Sequence, residues 1–548
     1  MWWAKRVTIT LEDVVLVLGT QVLINGFSAT FGDGDRVGVF GPNGCGKSTL
    51  LMAILGDVAL ESGRIGFAGP DLTVGYLPQL RELPGEWSIL RALRERTGVQ
   101  AADRRLQEAA ALLGSDTSAA AAIEYEHALS GFMSLGADSL DDRAPAVLAE
   151  VGLDQSLDRT CEGLSGGELA RVGLAGLLLS RFDAILLDEP TNDLDESGLS
   201  HLTNFVIGHH GPVLLVSHDR RFLEATINVV IEFDPHLDRV TRFDGGYQAW
   251  QRERERAHAT AVAANEEYEE TVSDLVDEAA AIKRRSARGV RTAQRAYAEG
   301  SVDKLLRDRM VDGATAGAGS ARNVKRQLEK MEKPEAIRKV WNLRLSFPKS
   351  RQPCASFTLS DARMVGGGFS LGSVNLSINP GERIRIHGPN GSGKSMLVGA
   401  LAGVSGLSSG RLTSSSTLDV GVLDQDRSQV PRGDVSLVQW FPDACGLLPA
   451  DARTLLAKFG LGSDDVSRPL TTLSEGERTR VGLALLASRE TTGLILDEPT
   501  NHLDLPAIER LEQALAEYRG TLVVVTHDES FADAVRFDRT VQIGALAD

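Results

Sequence analysis

The sequence predicts an α/β protein of two tandem, related domains joined by a long helical hairpin. Three observations carry this reading. A glycine-rich loop motif occurs twice, the same three motifs follow each copy in the same order, and an Ala-, Glu- and Arg-rich stretch poor in strand formers separates the copies. A chain of 548 residues also exceeds one ordinary hydrophobic core, and 42% hydrophobic with 24% charged residues fits a globular protein.

The first loop is Gly41-Pro42-Asn43-Gly44-Cys45-Gly46-Lys47-Ser48 and the second is Gly388-Pro389-Asn390-Gly391-Ser392-Gly393-Lys394-Ser395. Each follows an apolar strand-like run, Arg36–Phe40 or Arg383–His387, which is the context a phosphate-binding loop requires. Leu164-Ser165-Gly166-Gly167-Glu168 is mirrored by Leu473-Ser474-Glu475-Gly476-Glu477, Asp188-Glu189-Pro190 by Asp497-Glu498-Pro499, and Ser217-His218-Asp219 by Thr526-His527-Asp528. These three pairs are each 309 residues apart, whereas the loops are 347 apart, so the first copy holds 38 extra residues between its loop and its serine-glycine motif.

Each element has a chemical reason. Gly41, Gly44 and Gly46, like Gly388, Gly391 and Gly393, let backbone N–H groups turn toward a phosphate chain, and the following helix offers its N-terminus to the anion. Asn43, Thr49 and Asn390 belong to the same nucleotide-binding loops. Lys47 and Lys394 reach the β- and γ-phosphates, and the Ser48 and Ser395 hydroxyls suit Mg2+. Asp188 and Asp497 end aliphatic strands and are placed to hold Mg2+. Glu189 and Glu498 follow them and are the candidates to polarise the attacking water. Asp-Glu-Pro on its own also reads as a strand terminator. The duplicated His218 and His527, each 29 residues after its glutamate, favour catalysis, because a neutral imidazole there can hydrogen-bond the γ-phosphate or the water. Gln79 and Gln425, 32 and 31 residues after the lysines, are candidate amide contacts to Mg2+ or water.

The composition limits the alternatives. A net charge of −17 argues against a generally basic nucleic-acid-binding surface. No run approaches the roughly 18 to 20 apolar residues that cross a bilayer, and the opening lacks the order of a secretory signal. Cys45, Cys161, Cys354 and Cys445 are scattered without metal-ligand spacing, so a reduced cytoplasmic protein is expected.

On these motifs the chain resembles the ATP-binding-cassette proteins and, more narrowly, the ABC-F family. Leu164–Glu168 and Leu473–Glu477 match the family signature, and Asn192-Asp193-Leu194-Asp195 and Asn501-His502-Leu503-Asp504 match its D-loops. The resemblance implies two cassettes in one chain, without a membrane domain, that close head to tail around two ATP molecules. Lys47, Gln79, Glu189 and His218 would then face Ser474 and Gly476, while Lys394, Gln425, Glu498 and His527 would face Ser165 and Gly167. One departure is the residue that stacks on the adenine. The family usually has an aromatic there; Val17-Leu18-Gly19 offers Leu18, and Met364–Phe369 gives no secure match.

Residues 1–250 are expected to form the first cassette, with a helical arm at about 96–145, and 341–548 the second. Between them, 251–340 reads as the linker: a helix to about 287, a glycine-rich break at 312–320, and a second helix from about Ala321 to Lys333-Pro334. Residues 281–340 hold 16 Lys and Arg against 7 Asp and Glu, a net of +9 on an otherwise acidic chain. A solvated coiled coil with paired charges would show a similar pattern, but a basic projection suits an RNA backbone. The resemblance implies binding to the ribosome, to its ribosomal RNA and tRNA, through this hairpin. The function expected is ATP hydrolysis coupled to ribosome binding, protecting the ribosome from drugs at the peptidyl-transferase centre or exit tunnel. The alternatives are a general translation factor of the same family, or the ATPase of an exporter whose membrane part is another chain.

Overall fold

The computed structural model describes residues 7–19, 21–68, 72–77, 83–116, 118–164, 166–192, 194–234, 239–301, 303–315, 326–327, 346–348, 355–366, 369–415 and 419–544. Two compact units result: Met1–Gln248 together with Trp341–Asp548, and Ala249–Val340. Gln79 and Ser165 fall outside the described residues, as does almost all of the second linker helix expected from about 321 to 334.

Both halves of the first unit are built alike. In the N-terminal half the short aliphatic runs β3 (Arg36–Phe40), β6 (Ala184–Asp188) and β7 (Val213–Val216) are buried along their whole length. Unbroken burial is the mark of a parallel strand covered on both faces. They join β5 (Val74–Leu77), β8 (Val229–Asp234) and β9 (Arg239–Asp244) in the order β5-β6-β7-β3-β8-β9, with only the last pair antiparallel. The two earliest strands, β1 (Ile9–Leu18) and β2 (Gln21–Phe31), pair with β4 (Ser62–Phe67) in a separate antiparallel sheet. One core joins the two sheets through Ile9, Leu11, Val14, Val37, Leu50 and Leu214. The second half repeats this with sheets of order β14-β15-β16-β12-β17 and β11-β10-β13, comprising β10 (Phe357–Gly366), β11 (Phe369–Ile378), β12 (Arg383–His387), β13 (Ser409–Ser414), β14 (Val420–Leu423), β15 (Gly493–Asp497), β16 (Thr521–Val525) and β17 (Arg539–Gln542).

This topology creates the site. β3, β6 and β7 are neighbours, so the loop after β3, Asp188-Glu189 after β6 and His218 after β7 leave the same edge of the sheet side by side. In open α/β sheets the ligand crevice lies outside the carboxyl ends of the strands. β12, β15 and β16 do the same for the second loop, Asp497-Glu498 and His527.

Two helices, Val99–Ser115 and Ala119–Ser134, pack against each other in the first half. The second half passes from β14 through the shorter helices Leu437–Cys445 and Pro449–Lys458, with none as long as this pair, which locates the extra length of the first copy.

The linker differs from its expectation. The first helix does not stop near 287 but runs from Tyr247 to Ala298, 52 residues. Gly300 then takes φ 68, its N–H bonding to Tyr297 O at 3.1 Å and that of Ser301 to Ala296 O at 2.9 Å, which is the Schellman way of ending a helix. Asp303 caps the next helix, Lys304–Thr315, by accepting from Leu306 N. Of the break expected at 312–320, residues 312–315 are helical and 316–320 lie outside the described residues. The Arg307 guanidinium lies 4.7 Å over the Tyr297 ring and holds the two helices together. Among the described residues no helix is long and apolar enough to cross a membrane.

Candidate active site

Each loop lysine is buried and folded onto its own loop. Lys47 Nζ donates to Gly41 O (2.8 Å) and Pro42 O (3.1 Å); Lys394 Nζ donates to Gly388 O (2.8 Å) and Pro389 O (3.0 Å). The loops turn through Gly44 and Gly46 (φ 81 and 104) and through Gly391 and Gly393 (φ 80 and 91). Only glycine adopts this conformation cheaply. A Cβ on Gly46 would also lie 3.0 Å from Leu23. The next residues, Ser48 and Ser395, place their hydroxyls on the carboxylates of Asp188 and Asp497. Burial pushes both aspartates above the ordinary carboxylate range, partly opposed by these hydroxyls and the loop lysines. Tyr76 Oη adds a donor to Asp188 at 3.4 Å.

Glu189 and Glu498 stand at the strand ends with left-handed backbones, φ 49 and 43. For non-glycine residues such strain costs about 1–3 kcal/mol and clusters at functional sites. Their surroundings then diverge. His218 Nε2 reaches Glu189 Oε1 at 3.0 Å. Burial tends to raise the Glu189 carboxyl, but His218 and Lys47 more than offset it and hold it below its ordinary value. His527 Nε2 stays 3.7 Å from Glu498 Oε1, and both atoms are buried without a hydrogen-bond partner. Burial and the Asp497 charge push Glu498 up to about 8, while burial, Lys394 and His387 take His527 down to about 4.

The halves also differ beneath the histidine. His387 packs edge-on against His527, ring centroids 5.5 Å apart, and Arg385 Nη2 is 3.4 Å from His387 Nδ1 while pairing with Glu529. The corresponding places in the first half, 347 residues earlier, hold Gly38 and Phe40. The two halves therefore carry the same motifs on unlike foundations.

The halves meet head to tail. Asn43 N donates to Asp504 Oδ2 at 3.2 Å, and Asn43 Nδ2 to His502 O at 3.1 Å. The mirror contact brings Asn390 N to the Asp195 carboxylate. Gly476 approaches Asn43, and Gly167 approaches Asn390, so closely that an added Cβ would lie 3.1 Å from either side chain. A cavity of about 440 Å3 opens between the halves, lined by Lys394, Ser395, Gln425, Asp497, Glu498 and His527 on one side and by Gly167, Asn192 and His218 on the other. Ser474 caps the helix Glu475–Ala487 and is held in a reciprocal capping box with Glu477. Gly41 and Gly388 lie in their loops, and Thr49 in the first turn of the helix Lys47–Leu55 that follows. Asp195, Asp504 and His502 lie in the D-loops matched from sequence, although no site role was assigned to them there. Their signal was present, because Asp195 and Asp504 are also 309 residues apart.

Comparison with known proteins agrees with this geometry. The profile of the family described as ABC transporter matches residues 24–192 and again 371–501. The tylosin resistance ATP-binding protein TlrC of Streptomyces fradiae is 32% identical over 545 residues, covering 95% of this chain and 94% of that protein. ABC transporter F family member 5 of Arabidopsis thaliana is 27% identical, covering 94% and 72%. Among solved structures, the archaeal ribosome recycling factor aABCE1, in complex with the ribosomal stalk protein aP1, is similar in fold, with TM-score 0.57, 19% identity and 97% and 87% of the two chains covered.

Proposed function

The chain belongs to the ABC transporter family of ATP-binding cassettes, and within it to the ABC-F proteins, and from that premise we propose that it is an ATPase whose two sites close its halves head to tail in order to act on the ribosome. The observation that carries the proposal is the reciprocal pairing of each phosphate loop with the opposite half, Asn43 with Asp504 and Asn390 with Asp195. ATP bound between such surfaces touches both halves, so the closed state is favoured by contacts the open state lacks.

Each side chain has a role in this reading. Lys47 and Lys394 exchange their carbonyl partners for the β- and γ-phosphates. Gly167 and Gly476 close on the phosphate from the opposite half, with Ser165 and Ser474. Glu189 and Glu498 orient and polarise the attacking water, and His218 and His527 hold that water or the γ-phosphate. The hydroxyl–carboxylate pairs Ser48–Asp188 and Ser395–Asp497 are hard oxygen donors that fit Mg2+ when ATP brings it, with Gln425 on the cavity wall and Gln79 at the matching sequence position. That ion supplies neutralisation of phosphate charge.

The ribosome is favoured by the linker, whose segment 281–340 nets +9 on a chain of net −17. A basic segment on an acidic body binds polyphosphate locally while the body resists non-specific contact. We place a translation-associated ATPase first. Drug protection at the peptidyl-transferase centre or exit tunnel is a second, finer reading, supported by near end-to-end alignment with a tylosin resistance protein. An exporter role needs a membrane part on another chain. Co-sedimentation of the Glu189→Gln, Glu498→Gln double variant with ribosomes tests the proposal. Retention that depends on ATP is expected; equal, weak sedimentation with and without ATP would overturn it.

A further inference from the structure

Arg427 is 2% exposed, although it follows the loop that carries Gln425 at the cavity wall. Its backbone is left-handed, φ 53. The guanidinium has no bidentate carboxylate partner. Nε donates to Thr479 Oγ1 at 3.0 Å, Nη1 to Asp497 O at 3.1 Å and to Asp424 O, and Nη2 to Glu498 O at 2.9 Å. One planar fork thus ties together the glutamine loop, the main chain under the strained Glu498, and the helix Glu475–Ala487. Thr479 is fully buried and passes the contact on by donating to Glu475 O at 3.0 Å, beside Gly476 and its neighbour Asn43.

These partners serve different nucleotide sites. Asp497 and Glu498 belong with Lys394, whereas Gly476 completes the site of Lys47 from the other half. The first half lacks the hydroxyl link, since Ala170 stands where the second has Thr479. Arg81 occupies the position corresponding to Arg427 and lies outside the described residues. Lysine would not substitute for Arg427, because a single ammonium on a flexible stem does not span acceptors on three elements in one plane.

We propose that Arg427 is a positioning residue that fixes the Glu498 main chain and, through Thr479, couples hydrolysis at the Lys394 site to the signature helix serving the Lys47 site. The inference rests on both sites hydrolysing ATP, and any such coupling is reciprocal in binding free energy.

The test uses two single-site enzymes, Glu189→Gln, which leaves the Lys394 site to turn over, and Glu498→Gln, which leaves the Lys47 site. In the Glu189→Gln enzyme, Arg427→Met and Arg427→Lys are expected to lower kcat at least tenfold with KM within about twofold. Thr479→Val, near-isosteric and remote from the Lys394 chemistry, is expected to lower that same kcat about threefold with Tm unchanged. It is also expected to slow the Glu498→Gln enzyme. If Arg427→Met does not fold, Thr479→Val alone decides. A Thr479→Val protein with unchanged kcat at the Lys394 site, or an Arg427→Lys protein with full activity, overturns the proposal. Absence of hydrolysis in both parent single-site enzymes would instead remove the ATPase reading beneath it.

Discussion

His218 Nε2 and Glu189 Oε1 stand 3.0 Å apart, a formed pair, while the matching atoms of His527 and Glu498 are separated by 3.7 Å. A glutamate already oriented by its histidine needs less reorganisation to take up its role. We expect Glu189→Gln to remove the larger share of steady-state ATP turnover, about tenfold, against about twofold for Glu498→Gln. Turnover of the two single variants measures it. Equal losses, or the reverse order, would show that the asymmetry has no kinetic meaning.

Much of this is legible in the sequence. The loops, Asp-Glu-Pro turns and histidines are local, and the strands that place them are short aliphatic runs that admit little else. The asymmetry was hidden because it involves neighbouring strands: His387 meets His527, and Arg385 the Thr526 carbonyl before it, only when β12 lies beside β16. The linker misled for a different reason. Gly313 lies within a helix that runs to Thr315, while Gly300, a lone glycine, ends the long helix because Tyr297 and Arg307 stack across the turn. A glycine cluster marks where a helix is weak, whereas tertiary contact decides where it stops.

The two signature glycines should differ in tolerance. A Cβ on Gly476 would come within 2.5 Å of the His502 carbonyl oxygen as well as 3.1 Å from Asn43, whereas on Gly167 the nearest atom is Asn390 Cβ at 3.1 Å. A backbone oxygen cannot swing away as a side chain can. Gly476→Ala is therefore expected to abolish ATP-dependent closure and Gly167→Ala to weaken it several-fold, read by a fluorescence pair on the two halves. Equal tolerance of both would contradict the packing.

Stability should carry the signature of His527, whose folded value of about 4 lies below its unfolded 6.5. Above pH 6.5 both states are neutral there and nothing is lost. Below it the unfolded chain takes up a proton the folded one refuses, so stability falls with pH until about 4. The groups around the ring act in both directions: Lys394, His387 and Arg385 oppose the proton and Asp195 favours it, while Glu498, 3.7 Å away and pushed up to about 8, is uncharged in this range; Glu529 is paired with Arg385. The loss amounts to about 2 kcal/mol by pH 5. Thermal melts of the parent and His527→Gln should coincide at pH 7.5 and separate by pH 5, with the variant melting higher. Parallel curves would mean the imidazole does not resist protonation.

The halves are also joined away from nucleotide. Arg220 pairs with Glu512 at 3.1 Å, the two side chains being 17% and 9% exposed. The matching positions in the other direction hold Glu529 and Thr203, so the contact exists on one side only. Breaking a buried pair costs about 3–5 kcal/mol because a charge is stranded. Arg220→Glu should lower Tm and slow closure, and the exchange Arg220→Glu with Glu512→Arg should recover at least half of the loss. No recovery in the exchanged protein would assign the loss to packing rather than charge.

Leu18 and Val365 each lie 29 residues before their loop lysine, at matching hairpin turns, and are 61% and 64% exposed. These hairpins abut the phosphate loops, Leu23 lying under Gly46 and Met396 Cε 3.7 Å from a Cβ on Gly366. A purine extending from either loop therefore meets an aliphatic side chain. Leucine or valine covers a ring face by dispersion but offers no π surface and reads no base edge. Turnover of ATP and GTP should accordingly agree within about threefold. Leu18→Tyr should tighten nucleotide binding by about five- to tenfold, the worth of one aromatic contact, without improving discrimination, since stacking tolerates any base. Competition of GTP against a labelled ATP analogue measures both effects. A thirtyfold preference for ATP in the unaltered protein would mean that a polar group reads the adenine edge, and that the exposed aliphatics are not what holds the base.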